Sequence, residues 1–148
     1  MPVSHQKIKG FSLLEVMIAV FVLAIGLLGL AHLQVTTLQH NERANLRSQA
    51  SALSSDIFDR MRANQIAAVA GDYNLGVDDD PPVALNTMAE IDISEWLANV
   101  NNFLPNGDGA INCNPCSRGA VYLVTLRWME VQDDGARSMS EFSYSGAL

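Results

Sequence analysis

The chain has 148 residues and a mass of 16.1 kDa, room for one small domain and too little for a large catalytic one. Hydrophobic residues make up 49% and charged ones 17%, with 9 basic against 16 acidic side chains and a formal charge of −7. That acidic balance disfavours nucleic acid as a partner, because phosphate is repelled. Two cysteines and three histidines exclude a four-cysteine zinc site.

The apolar excess is concentrated near the N-terminus. Residues 11–33 read FSLLEVMIAVFVLAIGLLGLAHL, with one acid, Glu15, and no Lys or Arg. As a helix this run is roughly 34 Å long, enough to cross a bilayer core. His5, Lys7 and Lys9 precede it, and the next basic residue is Arg43. The positive-inside rule therefore places the N-terminus in the cytoplasm and the rest of the chain outside. Two other readings compete: an ordinary secretory signal cleaved after Ala31, whose apolar core is usually about 7–15 residues and so shorter than this one, and a plain single-span anchor. Neither accounts for Glu15. A carboxylate at the centre of the apolar layer costs on the order of 3 kcal/mol, and less near the headgroups. No Lys or Arg within the span can pair with it. A partner must come from another chain or from a new terminus. A cut after Gly10 would create one, an ammonium on Phe11 four residues before Glu15.

The helix is expected to continue past the span. Residues 34–70 contain neither proline nor glycine, and Leu46, Ala50, Leu53, Ile57 and Met61 step along one helical face. One long helix over 11–68 follows, bare in its first half and amphipathic in its second, with Gly71 ending it. Residues 72–82 hold Gly76, the acid run Asp78, Asp79 and Asp80, and two prolines, so they read as a loop. Three adjacent acids suit either a solvated loop or a calcium site, although no EF-hand spacing is present.

Thr87 and Glu90 have capping-box spacing, and Ser94-Glu95 offers a second helix start. Ile91, Trp96, Leu97, Val100 and Leu104 suit a short amphipathic helix ending before Pro105, with residues 105–110 as a loop. Residues 120–131, AVYLVTLRWMEV, read as a strand. Asp133, Asp134 and Gly135 read as a turn, and residues 139–144 as the partner strand. The expected architecture is α+β, a long N-terminal helix packed on a small antiparallel sheet.

Cys113-Asn-Pro-Cys116 admits a redox motif, half of a zinc site, or a structural disulfide. A tiny ring of this kind gains about 2 kcal/mol from loop closure. His32 and His40 lie two helical turns apart with no carboxylate between them on that face, which disfavours a metal site.

The segment Lys9-Gly10-Phe11-Ser12-Leu13-Leu14-Glu15 resembles the type IV prepilin processing site: a short basic leader, Gly, Phe, and Glu fifth in the mature chain. The resemblance implies cleavage between Gly10 and Phe11 by the membrane prepilin peptidase and N-methylation of Phe11. It also implies that Glu15 pairs with the Phe11 amine of a neighbouring subunit. Residues 13–34 resemble more particularly the minor pilins of type IV pili, which are similar in turn to the I-type minor pseudopilins of type II secretion.

The family implies the type IV pilin fold, no catalysed reaction and no cofactor. It implies as partners the prepilin peptidase/methyltransferase, other minor pilins, the major pilin and inner-membrane lipid. The division expected is a leader over 1–10, a span or fibre-core helix over 11–33, an amphipathic half over 34–70 and a periplasmic head over 71–148. Without the leader the chain would carry 7 Arg, no Lys and 16 acids. Gly26 and Gly29 would mark a flexible or closely packed point in the fibre core, or be glycines that membrane helices tolerate. No proline lies between Pro2 and Pro81, so the kink often found in major pilins is not expected. A membrane-anchored thiol–disulfide protein with an intact leader is a further alternative.

Overall fold

The computed structural model describes residues 10, 12–132 and 135–148. Three helices, α1 (Leu13–Ala63), α2 (Gln65–Ala70) and α3 (Met88–Phe103), are followed by three strands, β1 (Asp108–Cys113), β2 (Val121–Val131) and β3 (Arg137–Ala147). The chain falls into two compact units, one ending at Leu38 and the other Gln39–Leu148.

The first unit is the opening stretch of α1. Its large apolar side chains are all exposed, from Leu13 through Leu33 and on to Val35 and Leu38. The hydroxyls of Thr36 and Thr37 donate back to the carbonyls of His32 and Leu33 at 3.1 and 2.8 Å. That satisfies both polar groups within the helix. The helix is long and apolar enough to cross a membrane.

The second unit is a helix layer on one face of an antiparallel sheet of order β1-β2-β3. Leu46, Ala50, Leu53, Ile57 and Met61 are buried, as their spacing predicts, and Phe58 joins them. Alternate residues of β2 (Tyr122, Val124, Leu126 and Trp128) are buried and share the same core, while Val121, Leu123 and Val131 are exposed. This is the period-two pattern of a sheet covered on one side.

α3 begins at Thr87, whose hydroxyl accepts the Glu90 N–H at 3.2 Å while the Glu90 carboxylate accepts the N–H of Thr87 at 2.8 Å. These bonds to backbone donors hold the Glu90 carboxyl below the usual carboxylate range. Trp96, fully buried, donates its indole N–H to the Leu53 carbonyl at 2.9 Å and so ties α3 to α1.

A polar lock reinforces this contact. Arg60 on α1 reaches Asp56, Asp92 and Glu95 at 3.1, 3.2 and 2.9 Å. Its guanidinium is held charged above its ordinary value, first by the hydrogen bond to Glu95. The buried Asp92 also accepts the Tyr73 hydroxyl at 2.5 Å. Burial, and then this bond, push the Tyr73 phenol up to about 12.

Several boundaries differ from the sequence expectation. The long helix breaks at Asn64, where φ is −118° and ψ 52°, and resumes as α2. The Asn64 amide donates to the Tyr73 hydroxyl at 3.3 Å, a tertiary bond that outweighs helix continuity at a residue of low helix propensity. Gly71 caps α2 with φ 91°, as expected of a glycine there. α3 uses the Thr87 start and not Ser94, and buries Ile93, while Ile91 and Leu97 are only half-buried.

Part of the expected 105–110 loop is β1. The glycine in that strand is demanded by packing, since a Cβ on Gly109 would lie 2.5 Å from the Trp96 ring. β3 is longer than residues 139–144 because it pairs with β2 along its full length. In the expected turn, Asp133 and Asp134 lie outside the described residues, and Gly135 has φ 80°.

Two outcomes follow for stability, read on the full chain in detergent by tryptophan fluorescence in urea. Gly109→Ala overpacks Trp96 and should cost about 1–3 kcal/mol, whereas Gly26→Ala, with open space around it, should leave the head unchanged. For Tyr73, the folded-state pKa of about 12 lies above the ordinary 10.0, so the fold favours the neutral phenol. Its contribution is intact below pH 10.0 and is lost as pH rises towards about 12. Tyr73→Phe should cost about 1–3 kcal/mol near neutrality and flatten that alkaline decline.

Candidate functional site

The sequence-derived site residues fall into two groups. Gly10 is exposed with open space around it, while Phe11, like Lys7 and Lys9, lies outside the described residues. Ser12 caps the start of α1: its carbonyl accepts the N–H groups of Glu15 and Val16 at 3.0 and 3.3 Å, and its hydroxyl accepts that of Leu14 at 3.3 Å.

Glu15 therefore sits in the first turn of α1, where the partial positive charge of the helix end favours a carboxylate. Around it lie Val16, Ala19, Val20 and Leu23, a shallow apolar surface. No side chain among the described residues pairs with Glu15, and no Lys or Arg occurs between Gly10 and Arg43. The chain thus presents a single carboxylate at the start of a wholly apolar helix face. Such an arrangement can accept one cation and discriminates strongly against apolar surroundings without it. Gly26 and Gly29 have no neighbour that a Cβ would meet, so intrachain packing does not require glycine at either position.

Cys113 and Cys116 are joined in a disulfide with 4.9 Å between their Cα atoms. Cys113 ends β1 and Cys116 lies in the following loop, so no helix N-terminus is directed at either sulfur. The thiol-activating setting of a redox CxxC is therefore missing. The ring is knitted to the segment after α2. Asn74 Oδ1 accepts the Cys113 N–H at 3.0 Å, its amide donates to Cys116 Sγ at 3.3 Å, and a Cβ on Gly71 would touch that sulfur at 3.4 Å. Sequence reasoning did not single out Asn74, whose role depends on a partner 39 residues away.

The acid run is engaged in loop structure. Asp79 accepts the Gly76 N–H at 2.6 Å, the Asp78 N–H donates to Asp108 at 3.0 Å, and Arg127 bridges Asp78 and Asp108 at 3.0 and 3.5 Å. Among the described residues no three His, Cys, Asp or Glu side chains cluster as metal ligands, and His32 and His40 are exposed.

A cavity of about 340 Å³ lies between α1 and the β2–β3 end of the sheet, lined by Gln39, Glu42, Arg43, Leu46, Asn106 and Met129 among others. Arg43 closes one side by donating from Nε and Nη2 to the Val131 carbonyl at 3.1 and 2.7 Å. Its Nε also lies 3.8 Å from Glu130, which accepts the Ser140 hydroxyl. The Arg43–Val131 contacts span 88 residues and carry no sequence signature.

Residues 5–31 match the prokaryotic N-terminal methylation motif. This match covers the basic flank, Gly10, Phe11, Glu15 and most of the apolar run, and it supports a type IV pilin-like protein. No curated protein matches the chain, and no solved structure matches it.

The disulfide has a measurable consequence. Replacing Cys113 and Cys116 together by Ser should lower stability by about 2 kcal/mol, the low end for a four-residue ring. The same loss should appear on reduction of the unsubstituted chain, read by urea unfolding with and without dithiothreitol.

Proposed function

We propose that the chain is a minor pilin of type IV pili, of the PilV kind, whose work is assembly and not catalysis. The observation that carries this reading is Glu15: one carboxylate in an apolar helix inside the methylation motif, with no cation paired to it among the described residues. The prepilin peptidase/methyltransferase cuts between Gly10 and Phe11 and methylates the new amine. Glu15 then accepts the Phe11 ammonium of a neighbour. Two charges that are each costly in the apolar layer become tolerable as a pair, so the contact sets register more than it adds stability.

Before assembly the span rests in the inner membrane with the head in the periplasm. The subunit then joins other minor pilins and the major pilin, priming or capping the fibre and so supporting twitching motility and adhesion. The acidic head gives no surface suited to nucleic acid. The same motif serves the I-type minor pseudopilins of type II secretion, and the fibre that the subunit enters distinguishes the two.

The test is the intact mass and N-terminal sequence of the chain from membranes, beside a Glu15→Ala variant. The expected start is N-methylated Phe11. Glu15→Ala should still be cut but should fail to enter sheared pili. A start at Met1 would leave an anchored protein without prepilin processing, and a start at His32 would indicate an ordinary signal peptide. Recovery in a secretion pseudopilus and not in pili would favour the pseudopilin reading.

A further inference from the structure

The two edges of the head's sheet are treated differently. The outer edge of β1 is closed by the chain itself. Leu75 and Ile111 exchange backbone hydrogen bonds, both at 2.9 Å, and Asn74 accepts the Cys113 N–H. The outer edge of β3 has no such cover among the described residues. β3 pairs with β2 through 11 consecutive positions without a bulge, and it contains neither proline nor lysine. Bulges, proline and charged side chains are the usual devices that blunt an exposed edge, and here a long row of N–H and C=O groups faces outward with only two charges, Arg137 and Glu141, along it.

The side chains on this edge specify what it accepts. Arg137 and Glu141 are the only charged residues of β3, and both project on the face away from α1, with Met139 between them 50% exposed. Glu141 stands directly opposite Arg127 in the register. Arg127 nevertheless turns towards β1, to Asp78 and Asp108, and Glu141 has no ion pair among the described residues. On the helix-facing side Tyr144 meets Phe58 edge-on at 5.3 Å yet stays 38% exposed, and Phe142 is half-buried. The core is therefore incompletely covered along this margin.

We propose that the open edge of β3 receives an extended segment of a different protein, added antiparallel as a fourth strand. Only another extended backbone matches alternating donors and acceptors along such an edge. The charges call for a basic residue opposite Glu141 and an acidic one opposite Arg137, four positions later in the incoming strand. Apolar residues at the alternate positions facing Phe142 and Tyr144 would complete the cover over Phe58.

A second copy of this chain also offers an Arg137–Glu141 match, about a two-fold axis through Met139. In that register a copy's β3, which begins at Arg137, reaches only from Arg137 to Glu141 and leaves Phe142 and Tyr144 uncovered.

The test uses the full chain in detergent micelles and the labelled synthetic peptide TVTVKTVTE, aligned so that Lys faces Glu141 and Glu faces Arg137. Its charge-reversed counterpart TVTVETVTK is the comparison, with binding followed by fluorescence anisotropy. The expected result is about tenfold tighter binding of TVTVKTVTE, from two cross-strand charge pairs. Slowed amide exchange along β3 should accompany it. Glu141→Lys, an exposed change that should leave urea unfolding unaltered, should abolish or invert the preference. Equal binding of the two peptides, or binding of neither, overturns the proposal. Self-association that Glu141→Lys removes also overturns it, since the occupant is then a second copy. A chain that keeps Met1 in cells but shows the peptide preference would overturn the pilin reading and leave an edge that accepts strands.

Discussion

The head depends on the burial of one stripe of α1. Leu46, Ala50, Leu53, Ile57 and Met61 share one core with the inner face of β2, and Ile93, Trp96 and Val100 of α3 complete it. A sheet with one apolar face must cover it, and a helix stripe does so at the lowest cost in backbone hydrogen bonds. Everything else in the unit extends this contact. α3 closes the flank with Trp96, Gly109 lies close enough to admit that ring, and Phe58 reaches the margin at β3.

Polar groups fix the arrangement that burial alone leaves loose. Arg60 gathers Asp56, Asp92 and Glu95, and Tyr73 donates to Asp92 from the segment after α2. Arg43 performs the same task at the other end of the sheet through the Val131 carbonyl. The disulfide and Asn74 hold the β1 terminus against that same post-α2 segment. Most of these ties converge on the side of the sheet bearing β1. The β3 side is left with an open backbone edge and, among the described residues, no ion pair to Arg137 or Glu141. That asymmetry is the physical basis for assigning the edge to a partner.

The N-terminal unit obeys a different constraint. Its side chains are apolar on every face, which suits lipid or other helices and not a water-facing surface. Against this background Glu15 is the single group whose placement demands an explanation. It lies inside residues 5–31, which match the N-terminal methylation motif. The first unit is thus an apolar helix bearing one carboxylate, and the second a helix-covered sheet locked mainly on its β1 side.

Much of this was legible from residue order because it is local. An uninterrupted apolar run, a stripe recurring at helical spacing, the Thr87–Glu90 box, the Gly71 stop and the alternating β2 pattern all express interactions within a few residues of chain. The Gly10–Phe11–Glu15 motif is equally local, since a peptidase reads it as a short segment. Tertiary structure decided the rest, through contacts between residues far apart. The break at Asn64 depends on Tyr73, and β1 forms where two glycines suggested a loop because β2 offers it a ladder and Trp96 needs Gly109. Arg127 is drawn to Asp78 and Asp108 and not to Glu141, its cross-strand neighbour. No periodicity encodes such pairings, because their energies arise only when distant segments are brought within a few ångströms of each other.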